Sequence, residues 1–193
     1  MSIQLRTGVA EDAAAIHDLI TANEHAGHLL PRTFEDIESH AHRFVVAVGD
    51  AVVIGCGELA PLSSDVAEVR SLVVDEANRG QRTGVALVTA LADRARALGY
   101  VTLCAFTHQP SHFVRLGFSI VPHVWMPEKI AHDCVGCSQF RRCGQYAVSL
   151  QLRAGAGLRL ETTAPPQRAV APPRTSVERL RLVPMTDDER IPA

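Results

Sequence analysis

One stretch limits what this chain can become. Residues Val69 to Val74 read as a strand, Arg79-Gly80-Gln81-Arg82-Thr83-Gly84 as a basic turn, and the residues up to Gly99-Tyr100 as a long amphipathic helix. A strand, a glycine-containing turn and a helix in that order aim the free amides of the helix N-terminus at an anion. Apolar residues at 87, 88, 91, 95 and 98 recur with helical period, while Asp93, Arg94 and Arg96 fall on the other side. Gly99 stands where a helix commonly stops.

The rest of the chain supplies partners for that unit. Ile3 and Leu5 alternate with polar neighbours as a first strand, and residues 13–22 carry apolar positions 16, 19 and 20 as a helix. Residues 24–33, with His25, His28, Pro31 and Arg32, lack a period and read as a connector; Phe34 and Ile37 then mark a short helix. Residues 44–48 and 51–59 are two β-branched runs around Gly49-Asp50, a hairpin signal, and 66–74 is the next strand. Three antiparallel strands therefore lead into the basic turn. After the long helix come a buried strand (100–106), a short helix (110–115), a strand (117–121), a cysteine-rich loop (126–144) and a last strand (146–152). From residue 154 the composition shifts to Ala, Gly and Pro, which predicts a domain over 1–153 and a flexible or partner-docked tail over 154–193.

Length and charge narrow the function classes. A chain of 193 residues suits one well-buried domain plus a tail. A net charge of -2 gives no basic footprint, so nucleic acid is not expected as a partner. No apolar run of about 18 residues and no apolar signal core at the start argue against a membrane and for a cytoplasmic protein. Of the five cysteines, Cys56 and Cys104 fall inside apolar strand-like runs and read as small buried hydrophobes.

The order strand, helices, three-strand meander, basic turn with helix, strand, short helix, strand resembles the GNAT superfamily of acetyl-CoA-dependent N-acetyltransferases over about residues 3–152. The resemblance implies an α/β (α+β) fold: a mixed, mostly antiparallel sheet of about six to seven strands flanked by helices, with a splayed central strand pair. The family's turn reads Arg/Gln-x-x-Gly-x-Gly/Ala. The preferred register runs from Arg79 to Gly84 and puts Arg82 where a glycine is usual; a second, Gln81-x-x-Gly84-x-Ala86, shifts the helix by two residues. The resemblance implies acetyl-CoA as co-substrate, its diphosphate held by amides of Gln81 to Val85, including Arg82, Thr83 and Gly84, with Gly80 in the turn and charge from Arg79 and Arg82. A backbone amide of Leu72 or Val73, in the splayed strand that ends at Val74, is the expected oxyanion donor.

A narrower resemblance lies on either side of that core. His28-Leu-Leu-Pro-Arg-Thr33 is similar to the Leu-x-x-Arg-Ser stretch of N-acetylglutamate synthases, and residues 125–143 resemble the Leu-Pro-x-Lys-Val-Trp-x-Asp-Cys-x-x-Cys end of their short, stand-alone form. Ala131 replaces the usual Trp, and Gln145 a common Glu. The resemblance implies an amino-acid N-acetyltransferase acting on a small amine, L-glutamate foremost, at the first step of arginine biosynthesis. Glu68 aligns with the family's general base and could instead be a strand-end carboxylate paired with Arg70. His112 and Thr107 are the candidates for protonating the leaving thiolate, where many relatives use a Tyr. Arg32, Lys129 and Arg70 are the expected substrate cations.

His132, Cys134, Cys137 and Cys143 place four soft ligands within twelve residues. They can close a structural zinc site or remain as thiols, and both readings pin the loop that bears Lys129. Two further functions stay open: acetylation of another small amine or a peptide amino terminus, and a non-catalytic acyl-CoA or metal sensor. Members of the family often dimerise, so a homodimer is a further expectation, with no stripe in the sequence to mark its interface.

Overall fold

A computed structural model describes residues 3–24, 29–137 and 140–153. The proposed tail, 154–193, and the two connector histidines, His25 and His28, lie outside the described residues. Seven strands form one sheet: β1 (Ile3–Thr7), β2 (Phe44–Gly49), β3 (Val52–Pro61), β4 (Val66–Val74), β5 (Thr102–Thr107), β6 (Ser119–Val121) and β7 (Tyr146–Gln151). Their order across the sheet is β1-β2-β3-β4-β5-β7-β6, and only the β4–β5 pair is parallel. The helices are α1 (Ala13–Glu24), α2 (Phe34–Ser39), α3 (Thr83–Ala97), α4 (Pro110–Val114) and a short α5 (Pro127–Lys129). Among the described residues no helix is long and apolar enough to cross a membrane.

The period-2 pattern of β2 divides the core between the two faces of the sheet. Phe44 and Val46 pack with Ile16, Ile20 and Ile37 from α1 and α2. Val45 and Ala47 belong with Leu87, Val88 and Leu91 of α3 and Phe113 of α4. Leu87 and Leu91 are fully buried, and each such side chain contributes about 1.5–3 kcal/mol by leaving water.

Two details differ from the sequence reading. The β2–β3 turn is centred on Asp50 and Ala51, both with positive φ (47° and 66°), because Gly49 remains in β2 opposite Ile3. The segment expected as a cysteine-rich loop is partly helical: α5 starts with Pro127 in its first turn and continues as a π-helical turn over Ile130–Cys134.

The sheet is irregular at its centre. The β3–β4 register passes from Cys56 opposite Val73 to Glu58 opposite Arg70, so Gly57 alone faces Ser71 and Leu72. This is a bulge, and Ser71 bears its strain at φ 46°. A Cβ on Gly57 would stand 2.9 Å from Leu91 Cδ1 and 3.2 Å from Leu72 Cδ1, which explains glycine there. On the other side, β4 pairs with β5 only from Val66–Thr102 to Val69–Ala105. Beyond that point the two strands part, as the splayed pair expected from the sequence.

Candidate active site

The splay opens into a cavity of about 980 Å³ bounded by β4, the end of β5, α4, α5 and the segment before α2. The wall includes Arg32, Glu58, Glu68, Arg70 to Val74, Arg79, Thr107, His112 and Lys129. Most of the sequence-predicted catalytic and substrate residues are therefore brought to one place. Their mutual bonding is different from the expectation of free cations and a free base.

Glu68 is 2% exposed on β4, and both its oxygens are taken. Lys129 Nζ donates to Oε1 at 2.7 Å and to Oε2 at 2.9 Å, and Arg70 Nε donates to Oε2 at 2.5 Å. Asp133, one helical turn beyond Lys129, completes a four-member network: it accepts from Lys129 Nζ at 2.9 Å and from an Arg70 Nη2. Burial pushes the Asp133 carboxyl up, but hydrogen bonds from His132 and Lys129 and the charges of Lys129 and Arg70 outweigh it and hold it below the usual carboxylate range. Lys129 also lies 5.3 Å from the Phe106 ring centre, a cation–π contact that fixes its stem.

A second ion cluster faces it. Arg32 Nη1 donates to Glu58 Oε2 at 2.7 Å, and its Nε donates to Asp36 Oδ2 at 2.7 Å. Glu58 is 1% exposed and lines the same cavity. Sequence reasoning missed Glu58, Asp133 and Asp36. Glu58 had left a signal: a lone carboxylate within the apolar run 52–60 has to meet a partner when it is buried.

The turn before α3 accounts for its unusual arginine. Arg82 is the N-cap of α3 in the left-handed region, φ 62°, the conformation for which glycine is the ordinary choice. Its backbone thus caps the helix. Ala86 N is bonded to Arg82 O at 3.0 Å, so the amides of Thr83, Gly84 and Val85 precede the first helical bond and are the ones a helix leaves for an anion. The helix start at Thr83 agrees with the register from Arg79 to Gly84. Arg79 is otherwise employed: its Nε donates to Val74 O at 3.2 Å and its Nη2 to Asn23 Oδ1 at 2.8 Å, which ties the turn to α1.

Beside that turn, two side chains await partners. His112 Nε2 and Thr83 Oγ1 are buried without a hydrogen bond among the described residues. The His112 ring lies where a side chain on Gly84 would meet it at 3.6 Å, so it closes the cavity against the start of α3. Burial, helped by the charge of Arg115 and opposed by a weak backbone hydrogen bond with Gly84, lowers the His112 pKa and favours the neutral ring. Thr107 Oγ1 accepts from Gln109 N at 3.0 Å and caps the β5–α4 turn.

The four expected metal ligands do not assemble. Among the described residues no group of three or more His, Cys, Asp or Glu side chains is gathered for a metal. His132 Nδ1 instead meets Asp133 Oδ1 at 3.0 Å, and Cys143 Sγ is turned toward Gln145 Oε1 at 4.0 Å. Cys134 and Cys137 bracket a turn closed by Cys137 N to Cys134 O at 3.1 Å. Cys56 is buried, which pushes its thiol up to about 12, so it behaves as the small hydrophobe expected.

With this geometry in place, likeness to known proteins is informative. The profile of the Acetyltransferase (GNAT) family matches residues 8–118. An uncharacterized N-acetyltransferase of Chlorobaculum tepidum is 30% identical over 144 residues, 75% of this chain and 93% of that protein. The amino-acid acetyltransferase of Pseudomonas syringae pv. syringae is 33% identical over 112 residues, 58% of this chain but 26% of that protein. The chain thus spans about a quarter of the length of that relative. In fold it is similar to N-acetylglutamate synthase from Neisseria gonorrhoeae, solved with coenzyme A and N-acetyl-glutamate, with a TM-score of 0.71, 24% identity, and coverage of 80% of this chain and 36% of that one.

Proposed function

Since the chain belongs to the acetyltransferase (GNAT) family, we propose that it moves the acetyl group of acetyl-CoA onto the α-amine of an amino acid, L-glutamate first among them. The observation that carries this reading is the cavity itself. It runs along the splayed β4 from Arg79 and from His112, which adjoins Gly84 at the start of α3, to Arg32, Arg70 and Lys129. Thr83, Gly84 and Val85 would hold the diphosphate, and the parted β4 backbone at Leu72 or Val73 would meet the thioester carbonyl as it gains charge. His112 lines the cavity beside this turn, and as a neutral ring it would relay the second amine proton to the leaving sulfur rather than supply one of its own.

Glutamate requires cations for two carboxylates, and Arg32 and Lys129, both in the cavity wall, would be those cations. Both already carry carboxylate partners, so the acceptor's carboxylates would share or displace them. The same fact favours a second reading, in which another amino acid or small amine is preferred because the pocket's positive charge is offset from within. Glu68 as general base belongs to the first reading and needs Lys129 or Arg70 to release one of its oxygens on substrate binding. A cytoplasmic setting, a homodimer and a place at the start of arginine biosynthesis go with it. A structural zinc at the cysteine turn would require His132 to leave Asp133.

The test is release of free CoA from acetyl-CoA by purified protein with each of a panel of amino acids and small amines. The first reading expects glutamate to give the highest kcat/KM. Glutamate at the level of buffer, with another amine turned over, would replace it with the second.

A further inference from the structure

The sulfurs of the cysteine turn are not gathered for a metal among the described residues, and the acetyltransferase reading gives them no task. Cys56 and Cys104 are buried, which leaves Cys134, Cys137 and Cys143 as the thiols that solvent reaches. Cys137 N donates to Cys134 O at 3.1 Å across Val135 and Gly136. A turn of this kind holds its two end Cα atoms within about 7 Å, and a disulfide spans about 4.4–6.8 Å between them. The turn also has room to change shape: Val135 is 75% exposed, and a side chain on Gly136 would meet no atom within 4 Å. Its position gives a bridge a consequence. Asp133 directly precedes Cys134 in the π-helical turn and accepts from Lys129 and Arg70, the two cations of Glu68. Cys137 lines the cavity, as do Lys129 and Asp133. A bond between the two sulfurs therefore pulls on the segment that carries the ion network.

We propose that Cys134 and Cys137 are a reversible thiol–disulfide site, closed by low-molecular-weight disulfides, whose bridge displaces Lys129 and Asp133 and weakens the amine pocket. The effect on the amine rests on the acetyltransferase reading above; the bridge itself does not. Cys137, in the cavity wall, gives up its proton and attacks one sulfur of the small disulfide. That S–S bond breaks, and the first small thiol leaves with the proton. Cys134 then gives up its own proton and attacks the Cys137 sulfur of the mixed disulfide, releasing the second small thiol, which takes that proton. Two protein thiols are oxidised and one small disulfide is reduced to two thiols, and a dithiol reductant runs the exchange backwards. A bridge in so exposed a turn belongs to the labile kind that such reductants open.

The experiment treats the full chain with glutathione disulfide, blocks the remaining thiols by alkylation and weighs the tryptic peptides. Cleavage at Lys129, Arg141 and Arg142 keeps Cys134 and Cys137 in one peptide and puts Cys143 in another. The first peptide should resist alkylation and be two hydrogens lighter, while the second should be alkylated. The bridge should raise KM for the best amine by about 5–150-fold, the range of a coupling between two sites, and leave acetyl-CoA affinity by calorimetry within about twofold. It should also change the fluorescence of Trp125, the chain's single tryptophan, which stands two residues before α5. Dithiothreitol should reverse every change. Cys134→Ser should abolish the response, with Cys137→Ser as the second variant if the first does not fold, and Cys143→Ser should keep it. The proposal is overturned if no bridge forms, if Cys143 is the partner, if purified protein holds zinc at these thiols and resists the disulfide, or if the bridge forms and leaves both the amine KM and Trp125 unmoved. A wild type that releases no CoA with any amine overturns the acetyltransferase reading alone, because the peptide masses and Trp125 still decide this one.

Discussion

At the start of α3, next to the cavity, the chain offers backbone, and in the cavity wall near α5 it offers side chains already bonded to one another. The first surface consists of three amides before the first helical bond, beside an exposed Arg79 tied to Val74 O and Asn23. The second consists of two buried carboxylates: Glu58, bonded by Arg32 from the segment before α2, and Glu68, bonded by Lys129 from α5 and by Arg70 on its own strand. A backbone site is complete once its helix forms. A side-chain network is complete only when every member is present, and removal of one partner leaves an uncompensated buried charge.

That difference can be broken by substitution. Lys129→Met should cost about 3 kcal/mol of folding stability, read as the urea midpoint, because Glu68 and Asp133 both lose a buried partner. If it costs no more than an exposed change, the network is not the stabilising unit described above. The same network gives the pH dependence its sign. Asp133 titrates below the ordinary carboxylate value, so its contribution is complete above about pH 4. It is lost as pH falls through the lower folded value. Thermal melts across pH 5 to 2 should show a smaller loss for Asp133→Asn than for wild type.

At the backbone end, effects should be smaller and of opposite sign. Thr83→Val removes a buried hydroxyl that bonds to nothing described and should raise stability by about 1–2 kcal/mol. A loss of acetyl-CoA affinity in that variant would sharpen the comparison differently, by giving the hydroxyl to the ligand. Arg82→Gly relieves a left-handed arginine and should add about 0.5–1 kcal/mol in the same melts. Arg79→Gln, exposed and bonded only to a carbonyl and an amide oxygen, should change stability by less than about 0.5 kcal/mol.

The two ends were not equally legible from the sequence. The turn was readable because its parts are neighbours: strand, basic residues, glycine and helical stripe lie within Val69 to Tyr100. The sheet and its splay followed from periods of two and from the resemblance, and the β2–β3 turn was displaced by one residue because Gly49 pairs with Ile3 rather than entering the turn. Around Glu58 and Glu68 the residues of the cavity wall were found, Glu58 and Asp133 apart, but not their bonds. Lys129 to Glu68 spans 61 positions, Arg70 to Asp133 spans 63 and Arg32 to Glu58 spans 26, distances at which no period relates one residue to another. Asp133 was hidden for a further reason. It sat inside a segment read as a cysteine loop, whereas α5 and the π turn set Lys129 and Asp133 a helical turn apart.

The sheet order has a consequence for how the chain is made. β7, the last in sequence of the described strands, is inserted between β5 and β6, both of which emerge from the ribosome before it. Until Tyr146–Gln151 arrives, β5 has an open edge and β6 has no partner strand. Open edges of this kind invite pairing with other chains. The meander β2–β3–β4 and α3 can assemble early from near neighbours, so the nascent protein holds its helix-terminal anion site before the β5 side of the cavity is locked. A ribosome stalled anywhere short of residue 151 would thus display a half-built catalyst with a sticky flank, and the final few residues of the sheet act as its closing stitch.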